Sequence, residues 1–190
     1  MVAILVTPPL AEPVTVEEAK AHARIDGSTE DAKVAALITA ARAEVENRTG
    51  RALVRQGWRI VRDAVPYGGV VRLSPAPVRS VDAVTVYGRD GLPSVVAPEE
   101  YRFDLSSSPG RLTFARARFW GARTMNGLEI DVTCGYGAPE DVPAALKQAV
   151  LMLVAYWYEQ REAALAGVVV EPVAHGLSAL TASYRMPRLS

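Results

Sequence analysis

Residues 30–50 read EDAKVAALITAARAEVENRTG. Val34, Leu37, Ile38, Ala41 and Val45 recur at steps of three and four, the spacing that lines one side of an α-helix, so a helix with a single apolar stripe is expected here. Gly50 stands where such a helix ends, because glycine enters the left-handed C′ conformation without a Cβ clash. At the other end Ser28 or Thr29 is expected as N-cap, with Glu30 and Asp31 at the positive end of the helix dipole. Upstream, Thr15-Val-Glu-Glu18 has the form of a capping box and predicts a short helix from Val16 to Arg24, closed by a turn at Asp26-Gly27.

A matching stripe lies far along the chain. Leu146, Ala149, Val150, Leu153, Val154 and Trp157 share one helical face, with Asp141 as the expected cap and Pro143 in the first turn, where a missing N–H costs nothing. Neither stripe can remain in water, so the simplest solution packs one on the other. Between them, in residues 51–137, the period changes. Short β-branched and aromatic runs alternate with Pro66-Tyr-Gly-Gly69, Ser74-Pro-Ala-Pro77 and Gly88-Arg-Asp-Gly91, which predicts an antiparallel unit of five or six strands. Packing the stripes together would bring the two ends of that unit close. Gly167–Pro172 interrupts the helical pattern, and Leu177, Leu180 and Tyr184 predict one last short helix before Pro187. The expected fold class is therefore α+β: a helical bundle built from N- and C-terminal helices (residues 15–50 and 141–163), an antiparallel β insertion (51–137) and a C-terminal docking segment (164–190), in one domain of 190 residues.

Composition narrows the function. Hydrophobic residues make up 49% and charged residues 22%, a globular balance. The 21 basic and 21 acidic residues cancel, which argues against wrapping nucleic acid with the whole surface. Cys134 is the only cysteine, so no disulfide can form within the chain, and a reducing place of synthesis is expected. Val2–Val6 is apolar but has no basic residues before it and reaches Pro8 and Pro9 too soon for an export signal. The apolar run Ala149–Trp157 is too short to span a membrane, and no membrane partner is expected.

Catalytic and metal signals are sparse. His22 and Asp26 lie one helical turn apart and offer the nearest approach to a hydrolase or metal site, but two groups without a third are a weak constellation. Cys134 has no base or cation beside it in sequence and reads as a small buried side chain. No catalytic residue, metal ligand or cofactor is therefore expected, and Gly135-Tyr-Gly137 lacks the pattern that cradles a phosphate.

Interface signals are stronger. From Leu105 to Leu128 the chain holds Arg111, Arg116, Arg118 and Arg123 with Phe114, Phe119 and Trp120, and no Asp or Glu. Arginine and aromatic side chains together suit a protein contact, and also a DNA-binding or DNA-guiding surface or a solvated hairpin. Tyr156-Trp-Tyr158 cannot share one helical face, since each residue turns by about 100°; Tyr156 and Tyr158 must reach other surfaces, either the β unit or a partner. Leu177, Leu180, Tyr184 and Arg185 belong to a segment too apolar for a free tail and complete the candidate interface.

Taken in order, several stretches resemble the phage head-tail connector (adaptor) family of tailed phages and phage-derived gene transfer agents. They are Val14-Thr-Val-Glu-Glu-Ala-Lys-Ala-His-Ala-Arg-Ile-Asp26, Thr49-Gly-Arg-Ala-Leu53 with Gln56 and Trp58, Gly135-Tyr-Gly137, Val142-Pro-Ala-Ala-Leu-Lys-Gln-Ala149, Tyr156-Trp-Tyr-Glu-Gln-Arg-Glu162, and Gly176-Leu-Ser-Ala-Leu180 with Tyr184-Arg185. The resemblance implies a helical bundle with a variable insertion and no enzymatic activity. It also implies a ring of identical subunits at the head-tail junction of a virion or phage-like particle, assembled in the bacterial cytoplasm. Its expected partners are the portal protein on one side, a tail-completion protein on the other, and DNA passing through the lumen without sequence-specific binding.

Overall fold

The computed structural model describes residues 2–66, 68–114, 122–160 and 171–186. The chain is mixed helix and antiparallel sheet, in two compact units, one formed by Met1–Leu10 with Arg55–Gly135 and the other by Ala11–Val54 with Tyr136–Ser190.

The helical unit starts with α1 (Val16–Ala23), closed at its N-terminus by the predicted capping box: Glu18 N–H donates to Thr15 Oγ1 at 3.1 Å and Thr15 N–H to Glu18 Oε2 at 2.7 Å. Arg24, in the left-handed region, ends it. Helix α2 (Asp31–Thr49) stops as expected at Gly50, whose N–H returns to the Glu46 carbonyl at 2.8 Å. Its start differs from expectation. Glu30, not Ser28 or Thr29, is the N-cap, and no side chain caps it; Ser28 contributes its backbone carbonyl to the Asp31 N–H at 3.3 Å instead. Helix α3 (Ala144–Glu159) begins after Pro143, not at Asp141. Asp141 belongs to a preceding 3-10 turn, where its carboxylate accepts the Ala138 N–H at 3.0 Å, while the Pro143 carbonyl accepts the first helical N–H groups. Helix α4 (Glu171–Thr181) is followed by a 3-10 turn, Ala182–Tyr184, so Tyr184 stands past the helix rather than on it.

Val34, Ile38, Ala41 and Val45 of α2 enter one buried cluster with Leu146, Ala149, Val150, Leu153, Val154 and Trp157 of α3, and Leu37 packs at its margin. The two stripes therefore meet as their periodicity requires. Leu177 of α4 is completely buried in the same cluster.

The sheet unit holds more strands than the turn signals suggested. Among the described residues between 51 and 137 there are seven: β2 (Gln56–Arg62), β3 (Val70–Leu73), β4 (Val78–Tyr87), β5 (Pro93–Val95), β6 (Tyr101–Asp104), β7 (Gly110–Phe114) and β8 (Leu128–Cys134). An eighth, β1 (Val2–Thr7), comes from the N-terminus, where the sequence reading assigned no element. Its β-branched run pairs with β2 and stops before Pro8, which has no N–H for a ladder. One sheet has the order β1-β2-β8-β4-β5 and the other β3-β7-β6, all antiparallel. Gln56 faces Cys134 across β2 and β8, so the two ends of this region do lie side by side.

Strand β8 shows how the faces divide. Leu128, Ile130, Val132 and Cys134 are buried while Glu129, Asp131 and Thr133 alternate with them on the opposite face. Buried Ile60 and Val84 extend the apolar face across β2 and β4, and Val71, Leu73 and Leu112 form the buried face of the smaller sheet.

Candidate protein interface

The arginine span divides at residues 115–121, so Arg116, Arg118 and Trp120 lie outside the described residues. Arg111, on β7, is exposed and donates to Asp104 Oδ2 from Nη2 at 2.6 Å and from Nε at 3.2 Å. Ser106 and then Arg111 hold the Asp104 carboxyl well below the usual carboxylate range. Arg123 donates to the Asn126 carbonyl at 2.8 and 2.5 Å, and its guanidinium lies 4.1 Å from the centre of the Tyr87 ring. Both described arginines thus have local partners, one a carboxylate outside the span and one the backbone inside it. They belong to different sheets: Arg111 to the three-stranded one, and Arg123 beside β4 of the five-stranded one.

The outer face of the larger sheet carries an ion-pair row that sequence reasoning missed. Arg59 forms a two-pronged contact with Asp131 at 2.7 and 2.9 Å and lies 3.4 Å from Glu129, which accepts the Tyr87 hydroxyl at 3.0 Å. The Asp131 hydrogen bond and charge raise the Arg59 pKa, and the bond to Glu129 raises that of Tyr87. These residues are far apart in sequence and meet only through strand register, with Arg59 opposite Asp131.

The other candidates belong to the helical unit. Tyr156 and Trp157 are buried, and Tyr158 is half-buried, its hydroxyl donating to Glu30 and its ring 4.7 Å from Lys33 Nζ. Three consecutive aromatics are accommodated because α3 has neighbours on several sides, α1, α2 and α4. Leu177 has no exposed surface, and Leu180 and Tyr184 pack against the same core. Arg51 donates to the Tyr184 carbonyl at 2.6 Å and Met186 N–H to the Thr49 carbonyl at 2.9 Å, which ties the end of the described chain to the end of α2. Arg185 is exposed and reaches Ser178 at 3.1 Å.

His22 and Asp26 are both exposed, and no group of three His, Cys, Asp or Glu able to hold a metal occurs among the described residues. Cys134 is buried, its thiol donates to the Pro75 carbonyl at 3.2 Å, and burial pushes its pKa up to about 12. A groove in the helical unit is lined by Pro13, Val14, Val16 and Ile38, and two of its three acids are engaged, Glu12 with Arg42 and Glu18 in the capping box, with Glu140 the third. No described helix is long and apolar enough to cross a membrane.

The head completion protein family model matches residues 12–167. The chain belongs to that family. This membership agrees with the head-tail connector resemblance in the sequence. No curated protein matches the chain. Among solved structures, the chain is similar over its full length, and over 98% of the other chain, to three from gene transfer agent particles. One is from the neck of an empty particle computed with C6 symmetry (29% identity, TM-score 0.82) and one from the virion of a native particle (30%, 0.82). The third is from the neck of a native particle computed with C12 symmetry (30%, 0.79). Family membership and these structures together support a structural connector role.

Proposed function

We propose that this family member is a ring-forming connector subunit at the head-tail junction of a phage-like particle, with portal protein on one side, a tail-completion protein on the other and DNA passing through its lumen. The single observation that carries this reading is similarity over the whole chain to neck subunits from particles computed with C6 and C12 symmetry. The helical unit then corresponds to the bundle of the connector family and the sheet unit to its variable insertion. No catalytic step is part of the reading; the work is mechanical.

A closed ring multiplies modest contacts: each subunit touches two neighbours, and loss of one requires breaking both contacts. The zero net charge fits a channel that passes DNA without holding it, because a strongly basic lumen would retain the polyanion through counterion release. Electron microscopy of purified chain mixed with portal tests the assignment. An added ring coaxial with the portal is the expected result, and a chain that stays monomeric and unbound beside portal would contradict it.

A further inference from the structure

The five-stranded sheet ends in two strands of unusual composition. At one end β1 has β2 as its only described neighbour, and all six of its residues are exposed, with Val2 at 60% and Ile4 at 48%. At the other end β5 pairs only with β4 among the described strands, and Leu92 and Val95 are 66% and 73% exposed. Residues 1–10 and 91–98 contain no charged side chain. The face between these ends is the opposite in character, with Arg59, Glu129 and Asp131 satisfied by one another. A long apolar edge without charge or proline is a hazard that soluble proteins normally blunt, so β1 needs a cover.

We infer that the β1 end of one copy docks against the β5 end of the next, making the two ends of this sheet the complementary halves of a head-to-tail contact between identical chains. The inference rests on the ring reading above and names the surfaces that would close it. Cyclic rings are built from two different patches on each subunit, and the two ends of one sheet are necessarily different and face opposite ways. Pairing β1 with β1 of another copy would give a two-fold dimer, which a purely cyclic ring does not contain. The β5 edge is short and Pro93 lacks an N–H, so side-chain burial by Leu92 and Val95 against Val2, Ile4 and Val6 would dominate over a continued hydrogen-bond ladder. Both patches are uncharged, so neither buries an unpaired ion in the contact.

Cysteine cross-linking in the full-length chain tests this, since native Cys134 is buried and held at Pro75. Two double variants, Ile4→Cys with Val95→Cys and Val2→Cys with Leu92→Cys, cover alternative registers at exposed positions. Each is oxidised under conditions in which light scattering reports the ring, alone or on portal, and then run on a non-reducing gel. The expected result is a ladder at successive multiples of the subunit mass for at least one pair, with each single variant staying at the monomer position. Rings without a ladder from either pair would overturn the inference and leave the ring reading standing, as would dimers from Ile4→Cys alone. Absence of both rings and ladder, with and without portal, would overturn both.

Discussion

Thr15 is a residue whose sequence context and geometry agree completely, since its hydroxyl and the Glu18 carboxylate each satisfy a backbone N–H at the start of α1. Thr15→Ala removes half of that exchange and is expected to cost about 1 kcal/mol, read as a lowered midpoint in urea unfolding with unchanged slope. Cys134 makes a prediction with the opposite chemistry. Its folded pKa is raised to about 12 by burial, so its contribution to stability is complete below the unfolded thiol value of about 8.5 and is lost as pH rises toward the folded value. Stability measured from pH 8 to 11 should therefore fall more steeply in the native chain than in Cys134→Ala. A thiol reagent at pH 8 should label Cys134 only after unfolding; rapid labelling of the folded chain would contradict its burial. The burial of Cys134 as an inert side chain was legible in the sequence because no base or cation flanks it. The Arg59–Asp131 contact was not, because 72 residues separate the pair and only the register of β2 on β8 joins them.

At the scale of elements, the helices were the legible part. Val34, Ile38, Ala41 and Val45 announce a buried face by spacing alone, and the structure buries all four. What spacing could not resolve was where a helix begins when several polar residues compete. Ser28, Thr29 and Glu30 are all polar, as are Glu140 and Asp141; α2 starts at Glu30 without a side-chain cap, and the Asp141 carboxylate serves the preceding turn while α3 starts after Pro143. Strand β1 was missed for a different reason: an apolar run exposed on both faces shows no alternation, and the tertiary pairing with β2 defines it. Leu153 and Leu177 test how the helical unit is held. Leu153→Ala empties a fully buried position on α3 and is expected to cost about 2–5 kcal/mol in equilibrium unfolding. Leu177→Ala should loosen α4, since Leu177 and Thr181 are its fully buried side chains among the described residues and Leu180 packs only at the margin, and limited proteolysis should then cut within α4 much faster than in the native chain. Unchanged cleavage would show that α4 is held by other contacts.

At the scale of the whole molecule, the order of motifs along the chain carried the family, and residues 12–167 carry it again in the family match. The contact surfaces were less legible. The sequence pointed to Tyr156, Tyr158, Leu177, Leu180 and Tyr184 as surplus apolar area; the helical unit hides or half-hides each of them, and among the described residues β1 exposes Val2, Ile4, Leu5 and Val6. Periodicity reports that a side chain must be buried but not by which chain. The proposed passage of DNA gives a further expectation at this scale: with zero net charge, the isolated chain should not retain duplex DNA at physiological salt in a gel-shift assay. The most direct test of the connector role is the fraction of particles that carry a tail when this chain is deleted, counted by negative-stain electron microscopy. The connector role predicts separate heads and tails in place of joined particles, with joining restored by the native chain. Tails attached to heads at the undeleted frequency would contradict it.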